Sequence, residues 1–397
     1  MLGRDYETLE EFKEACARRR GALDPVNVLS RIYYIAQLRD VCAFLGMETP
    51  EIPDGASGME RTYTVAEAIA GESDAESIGA ALSRKDHDFY FPVLTYFRFS
   101  EGEMYSSVQG LFGHLGRQHN FSASEQYHAF FNGLLQPPAG SCQLESIYAP
   151  DMAGDTVSLV FSCCRCLKVR YGSQDTHRDL FLARIPVIAR VLFRYRLIEV
   201  SMPTFRESPS FAEGRSPLVP YRYQSVFWSA RAGLIGLLPF RLNTIEFPRL
   251  TLYLESRERA QDMGWMIEPQ DDAELDLKQN LIPLKQVFDQ FSETLREEAT
   301  RRGQPHPLAG TDLYTLFRAL REESYTSLFV LSAPLGPRDG RVLMQVLYGR
   351  PGTQRDPILL VQNYGDNVAD RLRQVVNRSQ ITDVENPYDL DALFSEG

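Results

Sequence analysis

Along residues 155–205 the apolar pattern changes period twice. From Val157 to Val169 the odd positions (Val157, Leu159, Phe161, Cys163, Arg165, Leu167, Val169) alternate with Ser158, Val160, Ser162, Cys164, Cys166 and Lys168. A period of two predicts a long strand, more buried in its first half. Gly172 and Ser173 break it, and Thr176 with Asp179 offers a weak cap. Phe181, Ile185, Ile188, Leu192 and Tyr195 then recur at spacings of four, three, four and three, which predicts one helix. Pro186 inside that stretch demands a kink near Leu182 or a restart in the first turn. Leu197–Met202 follows as a short strand. The expected central unit is strand, helix, strand.

Upstream, helix signals dominate. Thr8 with Glu11 forms a capping box, and Asp24 before Pro25 caps a helix carrying Val28, Leu29, Ile32, Ala36 and Leu38, ended by Gly46. After a Pro- and Gly-rich loop, Glu48 to Gly58, the pairs Thr64/Glu67 and Ser73/Glu76 cap short helices ending near Leu82. Phe89–Phe99 reads as an aromatic strand, and Ser122 with Glu125 caps a helix carrying Tyr127, Phe130 and Phe131.

Downstream, residues 205–223 read as a long Pro-rich loop and Thr251–Glu255 as a strand. The acidic stretch Glu268–Asp276 suits a turn or linker. Leu281, Leu284, Val287, Phe288, Phe291 and Leu295 mark an amphipathic helix, and Tyr314, Phe317 and Leu320 a shorter one. Tyr325–Ala333, Val342–Tyr348 and Pro357–Gln362 form an antiparallel meander, followed by a helix over Asn367–Asn377. The fold class is therefore α+β: a helical N-terminal domain, a mixed α/β domain and an antiparallel C-terminal meander. The expected boundaries are 1–86 for the helical domain, 87–265 for the mixed domain with a basic aromatic middle, 280–380 for the C-terminal lobe and 381–397 for an acidic tail.

Composition changes this picture little: 44% hydrophobic and 24% charged residues exclude wholesale disorder. The first thirty residues are charged, so no signal peptide is expected, and the apolar run Ala232–Phe240 is too short to span a bilayer. A bacterial cytoplasmic protein is the expectation, with the six cysteines as buried thiols and no cofactor.

Charge changes it more. Residues 1–149 carry 12 Lys+Arg against 21 Asp+Glu, residues 150–260 carry 16 against 10, and residues 261–397 carry 14 against 22. A basic middle lies between acidic ends. Its arginines interleave with aromatics, so the candidate macromolecule-binding residues are Arg190, Arg194, Tyr221, Arg222, Tyr223, Trp228, Arg231 and Arg241. The same composition also suits a partly buried element with snorkelling arginines.

Catalytic signals are weak. Gly110, Gly113 and Gly116 fit neither the dinucleotide fingerprint nor a P-loop, and His114, His119 and His128 lack zinc-ligand spacing, as do Cys163, Cys164 and Cys166. Asp175, Asp179 and Glu199 are carboxylates a metal-dependent nuclease could use, but no lysine stands two residues after Glu199. The sequence leans away from an enzyme. The expected function is a non-catalytic binding or adaptor protein engaging a protein or nucleic acid through the basic middle. The alternatives are a small-molecule or lipid sensor, with a pocket lined by Phe227, Trp228 and Leu238, and a metal-dependent nuclease.

Overall fold

The structure, a computed structural model, describes residues 25–52, 54–100, 105–122, 124–130, 142–171, 177–204, 219–245, 249–250, 253–254, 261–268, 294, 297, 301, 325–333, 342–347, 358–361 and 364–382. The fold is α+β and divides into two compact units, residues 1–244 and 245–397. The expected cap at Thr8, the helix at Tyr314 and the tail from Asp383 lie outside the described residues, as does most of the 205–223 loop.

The described part of the first unit starts with four helices: α1 (Pro25–Ile32), α2 (Ile35–Leu45), α3 (Gly58–Glu72) and α4 (Ala75–Lys85). The single helix expected from Val28 to Gly46 is two, because the Tyr34 N–H turns to the Gln37 side-chain oxygen (2.9 Å) and starts α2 afresh. Gly46, at φ 72°, ends α2 as expected. The capping box of α3 is Ser57 with Glu60, not Thr64 with Glu67. The Glu60 carboxylate accepts from the Ser57 N–H (2.7 Å), while Thr64 sits inside the helix and donates to the Glu60 carbonyl (2.9 Å). Asp74, not Ser73, caps α4 by accepting from the Ser77 N–H (2.7 Å). Val28, Leu29, Leu38, Val41, Val65, Ile69, Ile78 and Leu82 fill the space between these helices.

The sheet of this unit is antiparallel, in the order β2 (Tyr127–Ala129), β3 (Cys142–Tyr148), β4 (Thr156–Tyr171), β5 (His177–Leu192), β6 (Leu197–Met202), β1 (Val93–Ser100), β7 (Arg241–Thr244). The helix expected over Phe181–Tyr195 is the strand β5, paired with β4 from Thr156↔Leu192 to Tyr171↔His177. Residues 184–192 are buried without alternation, so a helical stripe could be picked from what is a continuous apolar run. Both faces are covered. Arg184 and Arg190 point to the side where α1 lies, whereas Val187, opposite Phe161, points to the side of helix α6 (Val219–Leu237). Pro186 is tolerated because β6 pairs with β5 only from Ile188 onward, so its missing N–H breaks no ladder on that side.

The helix expected to carry Tyr127 and Phe130 is also not formed by the described residues 127–130, and Phe131 lies outside them. Tyr127–Ala129 pairs with β3, and the stretch is fixed by ring contacts of Phe121, His128 and Phe130 beside helix α5 (Val108–His119). Gly116 closes this corner. A Cβ there would stand 2.8 Å from the Phe121 carbonyl oxygen.

The second unit contains the expected meander as β9 (Tyr325–Ala333), β10 (Val342–Leu347) and β11 (Ile358–Val361), with a further strand β8 (Gln261–Glu268) on β9. Helix α7 (Asp366–Ile381) follows and buries Ala369, Leu372, Val375 and Val376. Within the strand expected over Thr251–Glu255, the described residues Tyr253 and Leu254 are helical, and with Leu250 they are buried at helical spacing. Thr294, Glu297 and Arg301, from the expected amphipathic helix, are helical. Among the described residues no helix is long and apolar enough to cross a membrane.

Candidate functional site

Two features of the first unit stand out: a charged core on the α1 side of the sheet, and the exposed apolar face of α6 on the other side.

A bulge builds the charged core. Leu144 faces Phe161 and Ser146 faces Val160, so Glu145 is an extra residue in β3. Regular alternation would send Glu145 and Ser146 to opposite faces, but both are fully buried and both reach residues of the helical side. Glu145 takes Arg184 in a two-point grip: Nε donates to Oε1 at 2.8 Å and Nη2 to Oε2. Nη2 also reaches Asp86 Oδ2 at 2.7 Å, and Nη1 donates to the Tyr33 hydroxyl at 2.6 Å. Arg184, wholly buried, thereby joins α1, the turn after α4, β3 and β5.

Ser146 serves His87. Its hydroxyl donates to the Ser83 carbonyl (2.9 Å), which uses its one proton, so His87 Nε2 at 2.8 Å must be the donor to Ser146. With the ring neutral, Nδ1 accepts from the Ser158 hydroxyl at 2.8 Å. Burial, with Arg190 and Arg84 nearby, holds His87 well below the ordinary histidine range. Asp86 is displaced the other way. Burial, offset in part by Arg184 and reinforced by Glu145, pushes its carboxyl up to about 6, and its Oδ1 has no hydrogen-bond partner among the described residues. Burial likewise raises the Tyr33 hydroxyl well above its usual range. Burial works against the Arg184 charge too, but Glu145, Tyr33 and Asp86 outweigh it and hold the guanidinium protonated.

Arg190 completes the core. It lies directly across from Glu199 on β6, donates to Glu199 Oε1 (3.2 Å), and with Nη2 holds the carbonyls of His87 (3.1 Å) and Phe89 (2.6 Å). Tyr96 donates to the other Glu199 oxygen at 3.2 Å. Arg190 is thus a buried fastener, and Glu199 is bound to it rather than poised beside a metal. The core is buried and ties the helical layer to the sheet.

The remaining sequence candidates fall elsewhere. Arg194 is exposed in the turn Phe193–Tyr195, with its guanidinium 5.5 Å from the Tyr195 ring. Tyr221, Arg222 and Tyr223 lie on the backbone of α6; their side chains are outside the described residues. Trp228 is 54% exposed on the outer side of α6, Arg231 is half-buried with its guanidinium 5.3 Å from the Phe97 ring, and Arg241 is exposed at the start of β7. Of the eight, Arg190 is buried in the charged core, whereas Arg194, Trp228 and Arg241 are exposed. Phe227 and Leu238, which the sensor reading places with Trp228, are buried.

α6 carries two different apolar faces. Val226, Phe227, Ala230 and Leu234 are buried against β3 and β4, and Gly233 allows a close approach: a Cβ there would lie 2.9 Å from the Phe161 ring. On the opposite side Trp228, Ala232 and Ile235, spaced by four and three, are exposed, with Ile235 at 57%. No acidic residue occurs anywhere on the helix, and Arg222 and Arg231 are its only charges.

Cys142 and Cys163, expected as thiols, face each other across β3 and β4 and pair as a disulfide; Cys42 is a free buried thiol. Gly110, Gly113 and Gly116 lie within α5 and form no loop. His119 and His128 meet in the Phe121–Phe130 cluster rather than around an ion, and among the described residues no His, Cys, Asp and Glu group is placed to hold a metal. The chain matches no protein-family model, no curated protein and no solved structure.

Proposed function

We propose that this is a non-catalytic binding protein that docks a protein partner on the outer face of α6. The observation that carries the reading is the exposure of Trp228 and Ile235, one helical face apart by seven residues, on a helix already seated through its other side. A solvated helix face ordinarily carries charged residues, and this one presents Trp228, Ala232 and Ile235 instead. Exposed apolar stripes centred on tryptophan mark protein contacts. Nucleic acid fits less well, because Arg184 and Arg190, two of the arginines that made the middle basic, are buried and matched by carboxylates.

The reading is tested with Ile235→Glu and Trp228→Ala in the full chain. Proteins retained by immobilised wild type are compared with those retained by each variant, after unfolding curves confirm that the variants fold. Loss of a retained protein with both variants supports the assignment; an identical retained set refutes it.

A further inference from the structure

Resting on that reading, we propose that the partner presents an acidic amphipathic helix, its apolar side on Trp228 and Ile235 and its carboxylates at the arginines beyond the C-terminal end of α6.

The first support is charge. Between Glu213 and Glu246 the chain has four arginines (Arg215, Arg222, Arg231, Arg241) and no acidic residue, although it holds 53 Asp+Glu in all. The docking segment is locally cationic in a chain of net charge −11. The second support is where exposed arginines gather. Just past α6, Phe240 stacks on Phe99 with ring centres 4.7 Å apart, and Phe193 packs edge-on against Phe99 at 5.9 Å. Arg194 and Arg196 flank Phe193 and Tyr195 in the turn before β6, and Arg241 follows Phe240. All three arginines are exposed. The Phe99 N–H bonds to the Arg196 carbonyl, and Ser100 pairs with Arg241, so they edge one aromatic cluster.

The stripe and the rim together specify the occupant. Trp228 and Ile235 stand about 10 Å apart along the helix axis, the rise of seven residues, which matches apolar residues two turns apart on a facing helix. Carboxylates at one end of that helix then meet the arginine rim. A second copy docked face to face through the same helix would bring the same acid-free face and no carboxylates for the rim. A phosphate backbone would need cations along the stripe, and Trp228, Ala232 and Ile235 supply none.

The probe is a fluorescein-labelled 18-residue peptide with Leu at helical spacing and Glu at the other positions, compared with the same peptide carrying Gln for every Glu. Anisotropy is read with the full wild-type chain, Ile235→Glu, and an Arg194→Glu/Arg241→Glu double variant. The expected result is that the Glu peptide binds at least tenfold tighter than the Gln peptide. Ile235→Glu should abolish binding, and the double variant should weaken the Glu peptide at least tenfold while leaving the Gln peptide unchanged. Equal binding of both peptides, lost in Ile235→Glu, would keep the docking face and overturn the acidic partner. Binding indifferent to Ile235→Glu, or none to wild type, would overturn the partner, and indifference would remove the face as well. Tighter binding of a dT20 oligonucleotide or of phosphatidylserine vesicles than of the Glu peptide would replace the protein partner with those polyanions.

Discussion

Asp86 and His87 are neighbours in sequence, both wholly buried, and displaced in opposite directions, so their effects on stability should oppose each other between about pH 4 and 6.5. Asp86 moves from 3.8 to about 6 on folding. Its folded value is raised, so the stability it contributes is full below 3.8 and is lost as pH rises through about 6. The size is about two units at ~1.4 kcal/mol each, or about 3 kcal/mol. His87 is lowered from 6.5, so its contribution is present above 6.5 and is lost as pH falls, at ~1.4 kcal/mol per pH unit while only the unfolded form is protonated. Over the shared window the folded state holds one extra proton on Asp86 and lacks one on His87, and the two slopes cancel. Asp86→Asn, which imitates the protonated acid, removes one side of this balance. The measurement is denaturant unfolding of the full chain from pH 4 to 7.5 in a Trp265→Phe background, where Trp228 is the remaining tryptophan and reports the first unit. The stability of wild type minus that of Asp86→Asn should be about 3 kcal/mol larger at pH 4 than at pH 7. His87→Asn should tilt the difference the other way. A pH-independent difference for Asp86→Asn would refute the assignment of the raised carboxyl to Asp86.

Other consequences are checked the same way. Glu145→Ala leaves the buried Arg184 without its two-point partner and should cost roughly 3–5 kcal/mol, whereas an Arg184→Met/Glu145→Leu pair should cost far less; equal losses would show that the ion pair is not the source. Gly233→Ala drives a methyl into the buried Phe161 ring and should destabilise the first unit by about 1–3 kcal/mol, seen as a lower midpoint in the Trp228 signal. Cys142→Ser opens a cross-link spanning 21 residues and should cost about 3 kcal/mol under oxidising conditions and nothing under reducing ones; alkylation mapping that finds Cys142 and Cys163 free in oxidised protein would remove this expectation.

The fold class, the C-terminal meander and the Gly46 stop were legible because each rests on a local signal: α+β patterning, period-two runs parted by Gly and Pro, and a left-handed cap. β5 was not. A strand covered by helices on both faces loses its alternation, and a continuous apolar run satisfies a helical template as readily as a strand. Pro186 pointed the same way, since it is hard to place in the interior of a helix and easy to place where a strand outruns its neighbour. The charged core was invisible for a different reason. It depends on the one-residue bulge at Glu145, and nothing in the local sequence announces a bulge that turns two consecutive polar residues inward.

The bulge also bears on how the arginines of the basic middle divide. Once Glu145 faces inward it accepts from Arg184, while Arg190, on the same face of β5, reaches Glu199 and the His87 and Phe89 carbonyls. An arginine in an apolar strand is stable only where such partners wait, because an unpaired buried guanidinium costs several kcal/mol. Arg194, Arg196 and Arg241 sit just outside that layer, on turns and strand ends where the chain meets water. Arginines close in sequence thus divide by strand parity and by strand end into fasteners and surface cations. The division makes a distinction that binding data can read: Arg190→Ala should lower the unfolding midpoint of the first unit, while Arg194→Glu should leave that midpoint alone and act only on partner affinity. A midpoint shift of equal size for both would mean that the rim belongs to the core after all.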